Sequence, residues 1–122
     1  MGVRAIRGAI TVVENSRESI LEGTRELLVE IIKRNDLDNL NIISAIFTVT
    51  SDLNATFPAI AAREIGWTDI SLMCTSEIDV PGSLKSCVRV LIHFNTNKCN
   101  NEINHVYMKG AVALRPDLVA NK

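Results

Sequence analysis

Cys74-Thr-Ser-Glu77-Ile-Asp79-Val-Pro81-Gly82-Ser-Leu-Lys85-Ser-Cys87-Val-Arg89 opens as the end of one apolar strand and re-enters a second at Cys87. The break falls at Pro81-Gly82, a pair that marks a turn. Each strand carries a residue awkward for a sheet interior, Glu77 at the end of the first and Arg89 inside the second. In Val88-Arg89-Val90-Leu91-Ile92 the arginine is flanked on both sides by residues that favour burial. A guanidinium there stays charged, because its pKa lies above roughly 12, and it needs an anionic or strongly polar partner. Two readings stand side by side. Glu77 is that partner and the two form a structural ion pair, or both residues line a pocket and the partner is a ligand.

Upstream, Ile70 to Thr75 reads as the strand that leads into this stretch. Before it, Phe57-Pro58 opens a short helix through Arg63, Glu64 and Ile65, with proline in its first turn and Gly66 as its stop. Thr50 to Thr56 is a loop. Ile42 to Val49 is apolar on nearly both faces, so it is expected to be a central strand covered on both sides. Asn35 to Asn41 is a polar loop. Asn15 followed by Glu18 gives a capping-box-like start to a helix through about Arg34. On that helix Ile20, Thr24, Leu27, Leu28, Ile31 and Ile32 share one stripe, with charged residues around the rest. Val3 to Val13 reads as a strand. Its Arg4 and Arg7 are an odd number of positions apart, so they face opposite sides of the sheet. One is expected in solvent and the other toward the core or a site.

Downstream, the strand from Cys87 to Asn95 ends in a turn-rich loop, Thr96 to Asn101. His105 to Met108 is a last short strand, Lys109 to Leu114 a helical turn, and Arg115-Pro116-Asp117-Leu118 closes the ordered chain. The order β, long α, β, short α, β, β, β gives an α/β (α+β) domain with a single mixed sheet, occupying residues 1–122. One long helix cannot cover both faces of a strand as apolar as Ile42 to Val49. The uncovered face needs a partner, and another copy of the chain is the simplest one.

The bulk composition narrows the function. With 47% hydrophobic and 22% charged residues, the 122-residue chain has the make-up of an ordinary globular domain. A formal net charge of -1, one Trp and one Tyr offer neither a basic stripe nor a stacking platform, so nucleic acid is not expected as a partner. Arg4 and Arg7 sit where a signal peptide needs its apolar run, and no apolar stretch reaches membrane-spanning length. Cys74, Cys87 and Cys99 are an odd number without paired metal-type spacing. Reduced thiols in a cytoplasmic protein are the simplest account.

His93 and His105 lie in no two-histidine motif and near no nucleophile elbow, and there is no glycine-rich phosphate cradle. Cys74 has no histidine placed by sequence to activate it, and reads as a small core residue. No metal and no cofactor are therefore expected. What remains is Arg7, Arg63, Arg89 and Arg115 with Glu77 and Tyr107. Arginine forks suit carboxylates through paired hydrogen bonds. Such a site binds a polycarboxylate, and its chemistry is binding alone or a reaction needing only positioning and charge stabilisation.

Six ordered segments carry a resemblance over nearly the whole length: Arg4-Ala-Ile-Arg7-Gly-Ala, Phe57-Pro58-Ala59, Cys74 to Glu77 with Asp79-Val80, Lys85-Ser-Cys87-Val-Arg89-Val, His105-Val-Tyr107 and Leu114-Arg115-Pro116-Asp117-Leu118. The chain resembles the small bacterial monofunctional chorismate mutases of the α/β, trimeric type. The resemblance implies a homotrimer forming a pseudo-α/β-barrel, with sites in clefts between subunits. It implies the Claisen rearrangement of chorismate to prephenate, without cofactor or covalent intermediate, in phenylalanine and tyrosine biosynthesis. By the same resemblance Arg89 contacts the ether oxygen as it gains charge. Glu77 and Cys74 lie near the ring hydroxyl, Arg7 and Tyr107 hold the enolpyruvyl carboxylate, and Phe57 packs on the substrate. Thr75 and Leu114 complete the binding set, with Arg63 and Arg115 at the mouth. Ile60 stands where a basic residue is expected in this family. The competing class is a non-catalytic small-carboxylate-binding trimer, or an imine-deaminase-like protein of similar architecture, which needs an arginine but not the Glu77–Arg89 combination.

Overall fold

A computed structural model describes residues 2–117. Leu118, the last residue of the expected tail, and the chain beyond it lie outside the described residues. Five strands form one mixed sheet: β1 (Gly2–Thr11), β2 (Ile42–Val49), β3 (Ser71–Ser76), β4 (Cys87–Thr96) and β5 (Val106–Met108). Their spatial order is β3-β2-β4-β1-β5. β4 runs antiparallel to both β1 and β2, while β3 is parallel to β2 and β5 parallel to β1. Helices α1 (Arg17–Asn35) and α2 (Ala59–Glu64) complete the expected element order, and a 3-10 turn spans Lys109–Leu114.

The main core lies on one face, with a smaller cluster of Ala9, Cys87, Tyr107 and Ala111 on the other. Ile6 and Ile10 of β1, Val88, Val90 and Ile92 of β4, and Phe47 of β2 pack against Leu27, Leu28 and Ile31 of α1. Gly8 lets that helix settle onto β1: a Cβ there would meet Ile31 Cδ1 at 2.7 Å and Leu27 Cδ1 at 3.3 Å. Small size is the reason glycine stands at this crossing. At the end of α2, Gly66 takes φ 105°, the left-handed conformation that stops a helix cheaply.

Two expectations shift. The cap of α1 is Ser16, whose hydroxyl accepts from Ser19 N at 3.1 Å, and not Asn15. Asn15 is engaged elsewhere: its Oδ1 accepts from the backbones of Asn54 and Ala55 at 2.9 and 3.0 Å, tying the loop after β2 to the helix start. Asn35 is the last residue of α1 and not a loop residue. It is buried, and its amide is satisfied by Ile31 O, Asn104 O and Asn104 N at 3.0, 2.9 and 2.8 Å. As expected, β2 is an interior strand that one chain covers on one face alone. Ala45 and Phe47 are buried toward the helices, whereas Ile46 and Thr48 on the other face stay half-buried and Met73 beside them is 63% exposed.

Candidate active site

The ladder registers arrange the open face of the sheet in rows, since directly paired residues point the same way. One row runs Thr75, Thr48, Arg89, Ala9, Tyr107 across all five strands. The next row is Met73, Ile46, Leu91, Arg7. Arg7 therefore stands diagonal to Arg89 on the open side. Arg4 faces the other way, and its Nε donates to Lys98 O at 3.2 Å. The ambiguity between the two arginines is resolved in favour of Arg7.

Glu77 reaches the same place from the loop. Its N–H donates to Val49 O at 2.9 Å, extending the β2–β3 ladder by one residue before the chain turns away. Its carboxylate then accepts from the Thr48 hydroxyl on one oxygen and from Arg89 Nη1, at 3.3 Å, on the other. The Arg89 side chain remains 40% exposed and that of Glu77 26%. A single contact at that exposure adds little stability, so the ion pair alone does not account for an arginine between Val88 and Val90. The pair exists, and both members also line a cavity of about 240 Å³ with Arg7, Thr48, Leu91 and Tyr107.

An adjoining cavity of about 220 Å³ shares Glu77 and Arg89 and adds Leu84, Cys87 and Leu114. Burial pushes the Cys87 thiol up to about 11, against the lowering effect of nearby Arg89. Cys87 is thus held as a neutral thiol and not as a nucleophile. Behind it, the Asp52 carboxylate accepts from Ser86 N at 2.9 Å and Ser86 Oγ at 3.0 Å. Hydrogen bonds from Thr50 and Ser86 hold that carboxyl below its ordinary value of 3.8. Ser86 itself sits at φ 56°, so Asp52 fixes a left-handed residue two positions before the strand reaches Val88 and Arg89.

The remaining expected site residues are not brought to this cavity within one chain. Cys74 pairs with Phe47, whose row continues through Val90 to Gly8 on the helix side, opposite the face of Arg89. Within one chain Cys74 therefore faces away from the Arg89 side of the sheet, because adjacent strand residues alternate faces. Cys74, Thr75 and Phe57 instead line a separate cavity of about 320 Å³ at the outer edge of β3, with Phe57 66% exposed. Arg63 lies exposed on α2. Arg115 directs its fork at Asp117, with contacts of 3.1 and 3.0 Å. Thr48 and Asp52 were not singled out by sequence, because their partners appear only once strand register is known.

The Arg7–Glu77–Arg89 cluster offers fixed positive charge beside one carboxylate. Among the described residues no group of His, Cys, Asp and Glu could hold a metal ion, and no helix is long and apolar enough to cross a membrane. Such an arrangement orients a carboxylate-bearing substrate and stabilises negative charge that develops on it.

Comparison with known proteins agrees with this chemistry. The family model described as chorismate mutase type I matches residues 3–118. Chorismate mutase AroH of Thermus thermophilus is 48% identical over 117 residues, covering 95% of this chain and 96% of that relative. Chorismate mutase AroH of Bacillus subtilis is 42% identical over 123 residues, covering 100% and 97%. A solved chorismate mutase from Clostridium thermocellum superposes with a TM-score of 0.89 at 55% identity, over 90% of this chain and 98% of that one.

Proposed function

Given that the chain belongs to the type I chorismate mutase family, we propose that Arg89, Glu77 and Arg7 on the open sheet face carry its reaction. The activity is that of a chorismate mutase, an isomerase of aromatic amino-acid biosynthesis. The substrate is chorismate, and the rearrangement breaks one C–O bond while forming one C–C bond. No proton need move; negative charge gathers on the ether oxygen and positive charge on the ring. Arg89 stabilises the first and Glu77 the second, while Arg7 and Tyr107 hold a carboxylate. The observation that carries this reading is the Thr48–Arg89–Ala9–Tyr107 row with Arg7 diagonal to it. Strand-borne donors need no ordering at the barrier, which is where preorganised electrostatics contributes most.

The same reading covers the whole assembly. Phe57, Cys74, Thr75 and Arg63 belong to the site but come from a neighbouring copy, so the working unit is a homotrimer with sites at subunit interfaces. Leu114 and Arg115 close the mouth. Support comes from the split of these residues between two surfaces and from the apolar residues left open, Ile43 at 43% and Met73 at 63% exposed. The domain is a single one over residues 1–122, working in the cytoplasm without cofactor, metal or nucleic acid.

The test follows conversion of chorismate to prephenate with Arg89→Ala and Arg89→Lys. Losing one preorganised donor costs about 10²–10³ in kcat. Lysine keeps the charge but not the planar fork, so Arg89→Lys is expected to be nearly as damaged. A folded Arg89→Lys protein with near-normal kcat would overturn the assignment and favour a structural ion pair.

A further inference from the structure

Glu77 is the one acidic member of the cluster, and it hangs from the first residue beyond β3. Its backbone is held by Val49 O, yet nothing in the strand geometry fixes where a glutamate side chain with three rotatable bonds points. What fixes it is a pair of donors on neighbouring strands. Arg89 takes one oxygen, at 3.3 Å, and the Thr48 hydroxyl takes the other. Thr48 and Arg89 are direct cross-strand partners, so the two donors are held side by side by the β2–β4 ladder. Thr48 is β-branched and half-buried, which limits its rotamers and keeps the hydroxyl in place.

The two donors differ in one respect. Arg89 has its own duty toward the substrate, and any contact it makes there loosens or redirects its hold on Glu77. The Thr48 hydroxyl is the donor that does not compete for the reacting atoms. We propose that Thr48 is a positioning residue of this enzyme, whose hydroxyl fixes the Glu77 carboxylate while Arg89 turns to the ether oxygen. The proposal rests on the reading of the Arg7–Glu77–Arg89 cluster as the site. A second consequence follows from charge. With one oxygen occupied by a neutral donor, the carboxylate keeps its full negative charge and leaves its remaining lone pairs for the substrate ring.

Four variants test this. Thr48→Val keeps the branched shape and removes the hydroxyl; Thr48→Ser keeps the hydroxyl and removes a methyl. Thr48→Val is expected to lose about tenfold or more in kcat, as for a hydrogen bond to a charged group, with KM changed far less. Thr48→Ser is expected to recover most of that loss, although it is the variant more damaging to packing. In a Glu77→Ala background, itself expected to be strongly impaired, Thr48→Val should cost nothing further, because the carboxylate it acts through is gone. Wild-type kcat in Thr48→Val, or Thr48→Ser as impaired as Thr48→Val, overturns the role of Thr48 while leaving Glu77 in the site. An equal loss from Thr48→Val with and without Glu77 overturns it too. Wild-type kcat in Glu77→Ala overturns the site reading itself, and the proposal with it.

Discussion

At the scale of single residues, the charged groups divide by what they face. Arg89 is flanked by buried Val88 and Val90 yet keeps 40% of its side chain exposed, so the strand hides its neighbours and presents it. Asp52 does the opposite: its partners are backbone and hydroxyl groups of its own loops, and it never reaches the cavity of Arg7. Its lowered pKa has a sign that can be worked out. A carboxyl whose folded pKa lies below the unfolded value near 3.8 adds stability above that value. The contribution fades as pH falls through 3.8 toward the folded pKa. Asp52→Asn should therefore lower Tm at neutral pH and narrow its gap to the parent as the pH drops below about 4. Melting curves between neutral and acid pH check this, and a gap that widens in acid contradicts it. Activity is expected to suffer as well, since Ser86 at φ 56° leads directly into the strand bearing Arg89.

Between elements, the crossing of α1 over β1 sets the floor beneath Arg7. A Cβ at Gly8 would come within 2.7 Å of Ile31 Cδ1 and 3.2 Å of Val106 O. The first atom can swing aside, but the second is backbone. Gly8→Val is expected to cost about 1–3 kcal/mol, typical of an overpacked core. Denaturant midpoints measure it, and an unchanged midpoint would mean the helix lifts freely. The element order was legible in sequence because apolar periodicity and the Pro–Gly punctuation speak clearly: strand at Ile42 to Val49, helix stripe at Ile20 to Ile31, break at Pro81-Gly82. The cap slipped by one residue because Asn15 and Ser16 are both good caps, and only tertiary contact with Asn54 and Ala55 assigns the former elsewhere. Arg89 with Glu77 was visible as a local oddity in the sequence. Thr48 was not, since a threonine in a strand is unremarkable until register sets it opposite Arg89. The face assigned to Cys74 was likewise hidden, because a motif names residues without saying on which side of the sheet each one stands.

For the whole molecule, the open sheet face and the β3 edge are complementary halves of one site on the proposed reading, and mixing experiments address that directly. Arg89→Ala damages one half and Phe57→Ala the other. Chains of the two kinds, unfolded together and refolded, should regain about a quarter of parent activity through interfaces that pair one intact half with the other. Each variant refolded alone should stay impaired, and light scattering should return a trimer for both. No recovery from a well-folded mixed trimer would place all site residues within single chains. The sheet order has another consequence, for the chain while it is being made. β1 finds its neighbours only in β4 and β5, so Thr11 waits for Cys87 and Gly8 for Val106. Until those strands leave the ribosome, Gly2–Thr11 is an apolar strand with both edges unpaired, the kind of segment that recruits other nascent chains into aggregates. Arg4 and Arg7 interrupt it, one charge on each face, and a charge buried between stacked strands is costly. Arg7 thus guards the newborn polypeptide against its own siblings long before there is a pocket for it to line.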